Sequence, residues 1–169
     1  MIKNFQKILL LSTVLLFISC NSEKKVNIDV SDVDQIFNAS MYRGVVPDIK
    51  FDELCEIVGE PNEYLDKGSG DDEEHSPVYY FPEGKIICHW GGSKKEDIGC
   101  VDFIPFENKP MFIQEIFYRP ISNYGITEKT KKVRIFEDDM LYYLINLDNY
   151  RVSEIEYWLV TKKFLNVAW

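Results

Sequence analysis

The stretch Phe51-Asp52-Glu53-Leu54-Cys55-Glu56-Ile57-Val58-Gly59-Glu60-Pro61 divides the chain into two kinds of pattern. Phe51, Leu54, Cys55 and Val58 recur at i, i+3, i+4 and i+7, while Asp52, Glu53 and Glu56 fall on the other side. This spacing predicts an amphipathic helix over 51–58. Gly59 suits the left-handed residue that closes a helix, and Pro61 prevents its resumption. Beyond Pro61 the apolar period shortens toward two, the spacing of strands.

Upstream, Ser31 reads as an N-cap for a short helix over 32–39, with Asp32 and Asp34 in its first turn and Val33, Ile36 and Phe37 as its apolar stripe. Downstream, Tyr64-Leu65 reads as a short strand and 66–77 as an acidic, glycine-containing loop. Strands are expected over Val78 to Phe81, Lys85 to Trp90, Ile98 to Phe106, Met111 to Tyr118, Val133 to Phe136, Met140 to Ile145 and Arg151 to Val160. The expected fold is α+β: two short N-terminal helices followed by a mostly antiparallel β-sheet, in one domain over 31–169.

The N-terminus has a different character. Lys3 and Lys7 precede a largely apolar run from Ile8 to Ile18, followed by Ser19 and Cys20. A charged start, a short apolar segment and a small residue are the parts of a secretory signal. The run is about half the ~20 residues needed to span a bilayer. Phe17-Ile18-Ser19-Cys20 resembles the lipobox of bacterial lipoproteins, with Phe17 where that family favours Leu. The resemblance implies a signal peptide over 1–19, a diacylglycerol on the Cys20 thiol and an acylated new N-terminus. It further implies residence in the bacterial cell envelope, anchored to the outer membrane. Residues 20–30 read as a polar tether to the domain.

Composition narrows the partners. The 169-residue chain has a net charge of −9, and loss of residues 1–19 would also remove the positive charges of Lys3 and Lys7. Such acidity opposes nucleic-acid binding, which draws on Lys and Arg to meet phosphates. It favours solubility and a basic partner. Neither a cofactor nor a metal is expected.

The pattern Ile57-Val58-Gly59-Glu60-Pro61, followed by a loop and then Tyr79-Tyr80-Phe81, resembles small outer-membrane lipoproteins of the SmpA/OmlA type, which share a helix-plus-sheet fold with the β-lactamase-inhibitor-like group. The resemblance covers about residues 44–104. It implies a binding or assembly module rather than an enzyme and assigns no functional residue, since Gly59 and Pro61 match as punctuation only.

Several side chains invite chemistry. With Gly91 to Asp97 as a turn, Cys88 is expected opposite Cys100, Ile87 opposite Val101 and Trp90 opposite Ile98, so that a cross-strand disulfide between Cys88 and Cys100 competes with two buried thiols. Cys88, His89, Cys100 and His75 lack the paired spacing of a zinc site. Cys55 lies on an apolar helix stripe, where a core role outweighs a nucleophile. The carboxylates of 66–74 lack the glycine that an EF-hand loop requires at its sixth position, occupied here by Asp71. Tyr79, Tyr80, Tyr142, Tyr143, Tyr157 and Trp158 occur as adjacent pairs in strands, so alternation sends one of each pair outward, to form a binding face or cross-strand packing. These readings converge on a lipid-anchored, non-enzymatic domain that binds another envelope protein. The alternatives are an immunity or inhibitor lipoprotein that neutralises a toxin or enzyme, and a cysteine-dependent enzyme.

Overall fold

A computed structural model describes residues 24–33, 45, 49–67, 74–91, 96–137 and 140–161. The expected signal segment, Cys20, residues 34–39 and the Trp158 side chain lie outside the described residues. Eight strands form one sheet: β1 (Lys24–Asp29), β2 (Glu63–Lys67), β3 (Glu74–Tyr80), β4 (Gly84–Trp90), β5 (Ile98–Pro105), β6 (Thr130–Glu137), β7 (Met140–Asp148) and β8 (Arg151–Thr161). Their order across the sheet is β1-β6-β7-β8-β5-β4-β3-β2. Two antiparallel meanders, β2 to β5 and β6 to β8, meet where β5 pairs with β8. β1 adds to the edge of β6 in parallel.

This corrects the expected α+β class. The molecule is largely a mixed β-sheet, and α1 (Phe51–Val58) is the one α-helix among the described residues. The expected N-terminal helix over 32–39 does not begin as a helix: Val30–Asp32 is a single 3-10 turn, and Val33 is extended and bridges Phe117. The tether expected over 20–30 is also shortened, because Lys24–Asp29 is β1. Val26 and Ile28 alternate with exposed residues and enter the core, giving a half-buried strand where overall polarity suggested a linker.

Two further segments differ. The expected strand Met111 to Tyr118 is a 3-10 turn, Ile113–Glu115, with isolated bridges at Phe112 and Phe117. Ile113, Ile116 and Phe117 instead cover the sheet. Part of the expected 66–77 loop is hairpin, with Leu65 opposite Ser76 and Lys67 opposite Glu74.

α1 forms as its spacing predicts. Leu54 is fully buried, and Phe51 packs edge-on against Trp90 at 5.2 Å between ring centroids. Gly59 ends the helix at φ +91°, a conformation that L side chains rarely adopt, and its N–H closes onto the Cys55 carbonyl. The helix and the 111–126 segment share one face of the sheet, where Ile86, Cys88, Val101, Phe103, Val133, Ile135, Ile145 and Ile155 form the core.

The β4–β5 hairpin contains the decisive irregularity. Trp90 faces Ile98 as expected, but the register then slips: Cys88 meets Val101, His89 meets Cys100 and Ile87 meets Asp102. Gly99 is the extra residue of a β-bulge. Its backbone passes so close to Gly91 that a Cβ on Gly99 would lie 2.4 Å from the Gly91 Cα. Because side chains alternate, the one-residue slip puts the Cys88 and Cys100 sulfurs on opposite faces. The cross-strand disulfide expected between Cys88 and Cys100 is therefore not formed.

Two substitutions test these assignments. Gly99→Ala should cost about 1–3 kcal/mol by forcing the two backbones apart, read as a lower urea midpoint. Ile28→Ala should cost about 2–5 kcal/mol as a core truncation, whereas Asn27→Ala, on the exposed side of β1, should leave the midpoint in place.

Candidate functional site

The second face of the sheet carries the polar chemistry. One row crosses six strands with Val78, Ile87, Asp102, Glu156, Leu144 and Arg134 successively opposite one another. Asp102 on β5 therefore stands against Glu156 on β8, two like charges at the seam of the two meanders. Such pairs are destabilising unless compensated. Compensation comes from their neighbours. His89 Nε2–H donates to Asp102 Oδ2 at 2.6 Å, and the Cys100 thiol donates to Asp102 Oδ1 at 3.6 Å. Asn146 Nδ2 donates to both Glu154 Oε2 at 2.8 Å and Glu156 Oε1 at 3.0 Å.

His89, Cys100, Asp102, Glu154 and Glu156 line a cavity of about 310 Å³. The His89 and Asp102 side chains are only 19% and 13% exposed, so their interaction is shielded from bulk water. Ser76 is fully buried on the same face, next along β3 from Val78, and its Oγ has no hydrogen-bond partner among the described residues. The Arg134 Nε is likewise buried and unpartnered among them. A second cavity of about 310 Å³, lined by Glu83, Lys109, Pro110, Met111, Glu115 and Ile116, offers less chemistry. Its Glu115 carboxylate is already engaged by the Phe112 N–H at 2.7 Å.

The seam pocket is rich in acceptors: the carboxylates of Asp102, Glu154 and Glu156 line it with the His89 imidazole and the Cys100 thiol. It suits an ammonium or guanidinium and repels an anion. A reactive thiolate is favoured by neighbouring positive charge, whereas the Cys100 sulfur faces a carboxylate. Burial pushes the Cys88 thiol up to about 12, with Asp102 and Cys55 adding to the effect. Burial also raises Cys55, 4.0 Å from the Tyr79 hydroxyl, which opposes the rise in part.

The residues singled out from sequence are dispersed. Cys88 lies in the core, His89 and Cys100 line the pocket, and His75 is exposed. Among the described residues, no three His, Cys, Asp or Glu side chains form a group suited to a metal ion. Among the described side chains the expected aromatic binding face is not assembled either. Tyr79, Tyr143 and Tyr157 are buried, whereas Tyr80 is exposed, donates to Glu63 Oε1 at 2.6 Å and stacks on Phe106. Alternation fails at Tyr142-Tyr143. A register shift between Leu141 and Tyr143 lets both rings pack on Tyr157, at centroid distances of 5.3 and 4.8 Å. Asp102, Asn146, Glu154 and Glu156 were not singled out from sequence. The available signal was a carboxylate amid the apolar run Val101 to Ile104, and acids alternating with apolar residues at 154–157.

Comparison of the chain with protein families, with curated proteins and with solved structures returns no match.

The buried acids predict a pH dependence. Burial raises Cys88 above its ordinary 9.0 and Tyr79, Tyr143 and Tyr157 above their ordinary 10.0. The unfolded chain therefore loses these protons first. Their stabilising contribution is fully present below the ordinary thiol range, about pH 8.5, and is lost as pH rises from there toward the raised folded values. Urea midpoints should hold level to that pH and fall steadily up to pH 11.

Proposed function

We propose that this chain is a lipid-anchored protein of the bacterial envelope whose domain binds an envelope partner without catalysis, by seating a cationic side chain of that partner in the pocket at the β5–β8 seam. The observation that carries the reading is the half-buried pocket that gathers the three carboxylates of Asp102, Glu154 and Glu156 beside His89 and Cys100. Its size is at the small end of ligand cavities, suited to one Lys or Arg side chain. The charge of −9 helps attract a basic partner over longer range.

The anchor reading is supported by Lys3, Lys7, the apolar run and Ser19-Cys20. A non-catalytic role is supported by the burial that keeps Cys55 and Cys88 protonated. A partner that is a basic toxin would make the same pocket an inhibitory surface.

Two measurements test this reading. Cys20→Ala should move the protein from the membrane to the soluble fraction while leaving its thermal midpoint unchanged; continued sedimentation with membranes counts against the anchor. Glu154→Gln combined with Glu156→Gln should weaken a partner co-purified from solubilised envelopes by roughly 10–100-fold, the worth of lost charged hydrogen bonds. Undiminished binding by that variant, or a turnover abolished by Cys55→Ser, would overturn the pocket reading.

A further inference from the structure

The corner of the sheet where the described chain begins is basic, in a protein that is otherwise strongly acidic. Lys24 opens β1 and pairs with Thr130, the first residue of β6, and its ammonium donates to the Gly125 carbonyl. Lys25 lies beside it, opposite Lys132. The turn that leads into β6 is closed by the Thr130 N–H on the Thr127 carbonyl and by the Thr127 N–H on Thr130 Oγ1. It holds Glu128 and Lys129 at its exposed tip. Lys131 follows, 46% exposed and 3.0 Å from the still more exposed Asp148. Four exposed lysines, Lys24, Lys25, Lys129 and Lys131, thus face two carboxylates, Glu128 and Asp148, against a chain total of 19 Lys and Arg to 28 Asp and Glu.

We infer that this corner rests on anionic lipid headgroups, and that it sets the orientation of the domain on the membrane. The inference rests on the proposed acylation of Cys20. Asn21, Ser22 and Glu23 lie between Cys20 and Lys24, and a fully extended chain spans about 3.3–3.6 Å per residue, so over four residue steps the corner lies within about 14 Å of the acylated residue. That distance is comparable with the roughly 8–10 Å over which salt screens charge. Held so close, an acidic corner would be repelled by anionic lipid; a basic one is attracted. Each lysine near such a surface is worth roughly a fivefold preference. The acidic remainder of the domain is then directed outward. Lys50, which bridges Asp97 just before β5, marks the opposite end of the sheet.

The test uses the full-length lipoprotein, purified from membranes and reconstituted into vesicles of phosphatidylcholine with phosphatidylglycerol. A membrane-impermeant amine-acylating reagent is added, and labelling of each lysine is followed by mass spectrometry against the same protein in neutral detergent. Lys25, Lys129 and Lys131 should label about fivefold or more slowly on the vesicles, with Lys50 unchanged. Protection should weaken in pure phosphatidylcholine and at high salt. Acylated, vesicle-bound protein whose Lys129 and Lys131 label as fast as Lys50 overturns the inference and leaves the anchor standing. Purified protein with no acyl mass on Cys20 overturns the anchor, and the inference falls with it.

Discussion

The close passage of Gly99 over Gly91 governs what the sheet presents on each face. No side chain fits there, since a Cβ on Gly99 would lie 2.4 Å from the Gly91 Cα. Two glycines let β5 carry one more residue than β4 at that point. The consequence extends the length of the hairpin, because alternation converts a one-residue slip into an exchange of faces. Cys88 joins Val101 in the core, while His89, Cys100 and Asp102 assemble on the other side. Had the hairpin been regular, Cys88 would have faced Cys100 and the pocket would not exist.

The same slip determines what β8 meets. With Asp102 on the second face, β5 pairs with β8 so that Asp102 lies against Glu156 and Val101 against Tyr157. Apolar contacts on the core side hold the two meanders together: Phe103 against Ile155 and Val101 against Tyr157, with Phe103 and Ile155 almost wholly removed from water. The polar side opposes them with two facing carboxylates. His89 and Asn146 offset that repulsion, each through short hydrogen bonds to a carboxylate. The joint is therefore apolar in its stability and polar in its chemistry.

This division explains which features were legible in the sequence. α1 was legible because its period, its glycine and its proline agree, and the alternating strands of β4 and β5 were legible for the same reason. The N-terminal strand was not read, although Val26 and Ile28 are spaced at two, because lysines and acids around them suggested a linker. The helix start expected at Ser31 is replaced by a 3-10 turn over Val30–Asp32 and an extended Val33, because Val33 meets Phe117 in a bridge. Tyr142-Tyr143 and Cys88/Cys100 were misassigned by one mechanism: a bulge is a single extra residue, and the arithmetic of alternation cannot see where it falls. Asp102, Glu154 and Glu156 became a site only when β5 and β8, some fifty residues apart in sequence, were brought together.

A carboxylate in an otherwise apolar central strand, set against another across the seam, breaks the local rules that the remainder of the sheet obeys. Leu or Val at Asp102 would suit β-strand propensity and remove a charge from a half-buried position. Proteins retain such departures chiefly where function requires them. His89 and Cys100 serve Asp102, and one amide nitrogen bridges the two glutamates, so donors from β4, β5 and β7 hold three carboxylates at one cavity. A cationic group is the ligand that such a concentration of carboxylates favours, and on that ground the seam is proposed as a site rather than a flaw in the packing.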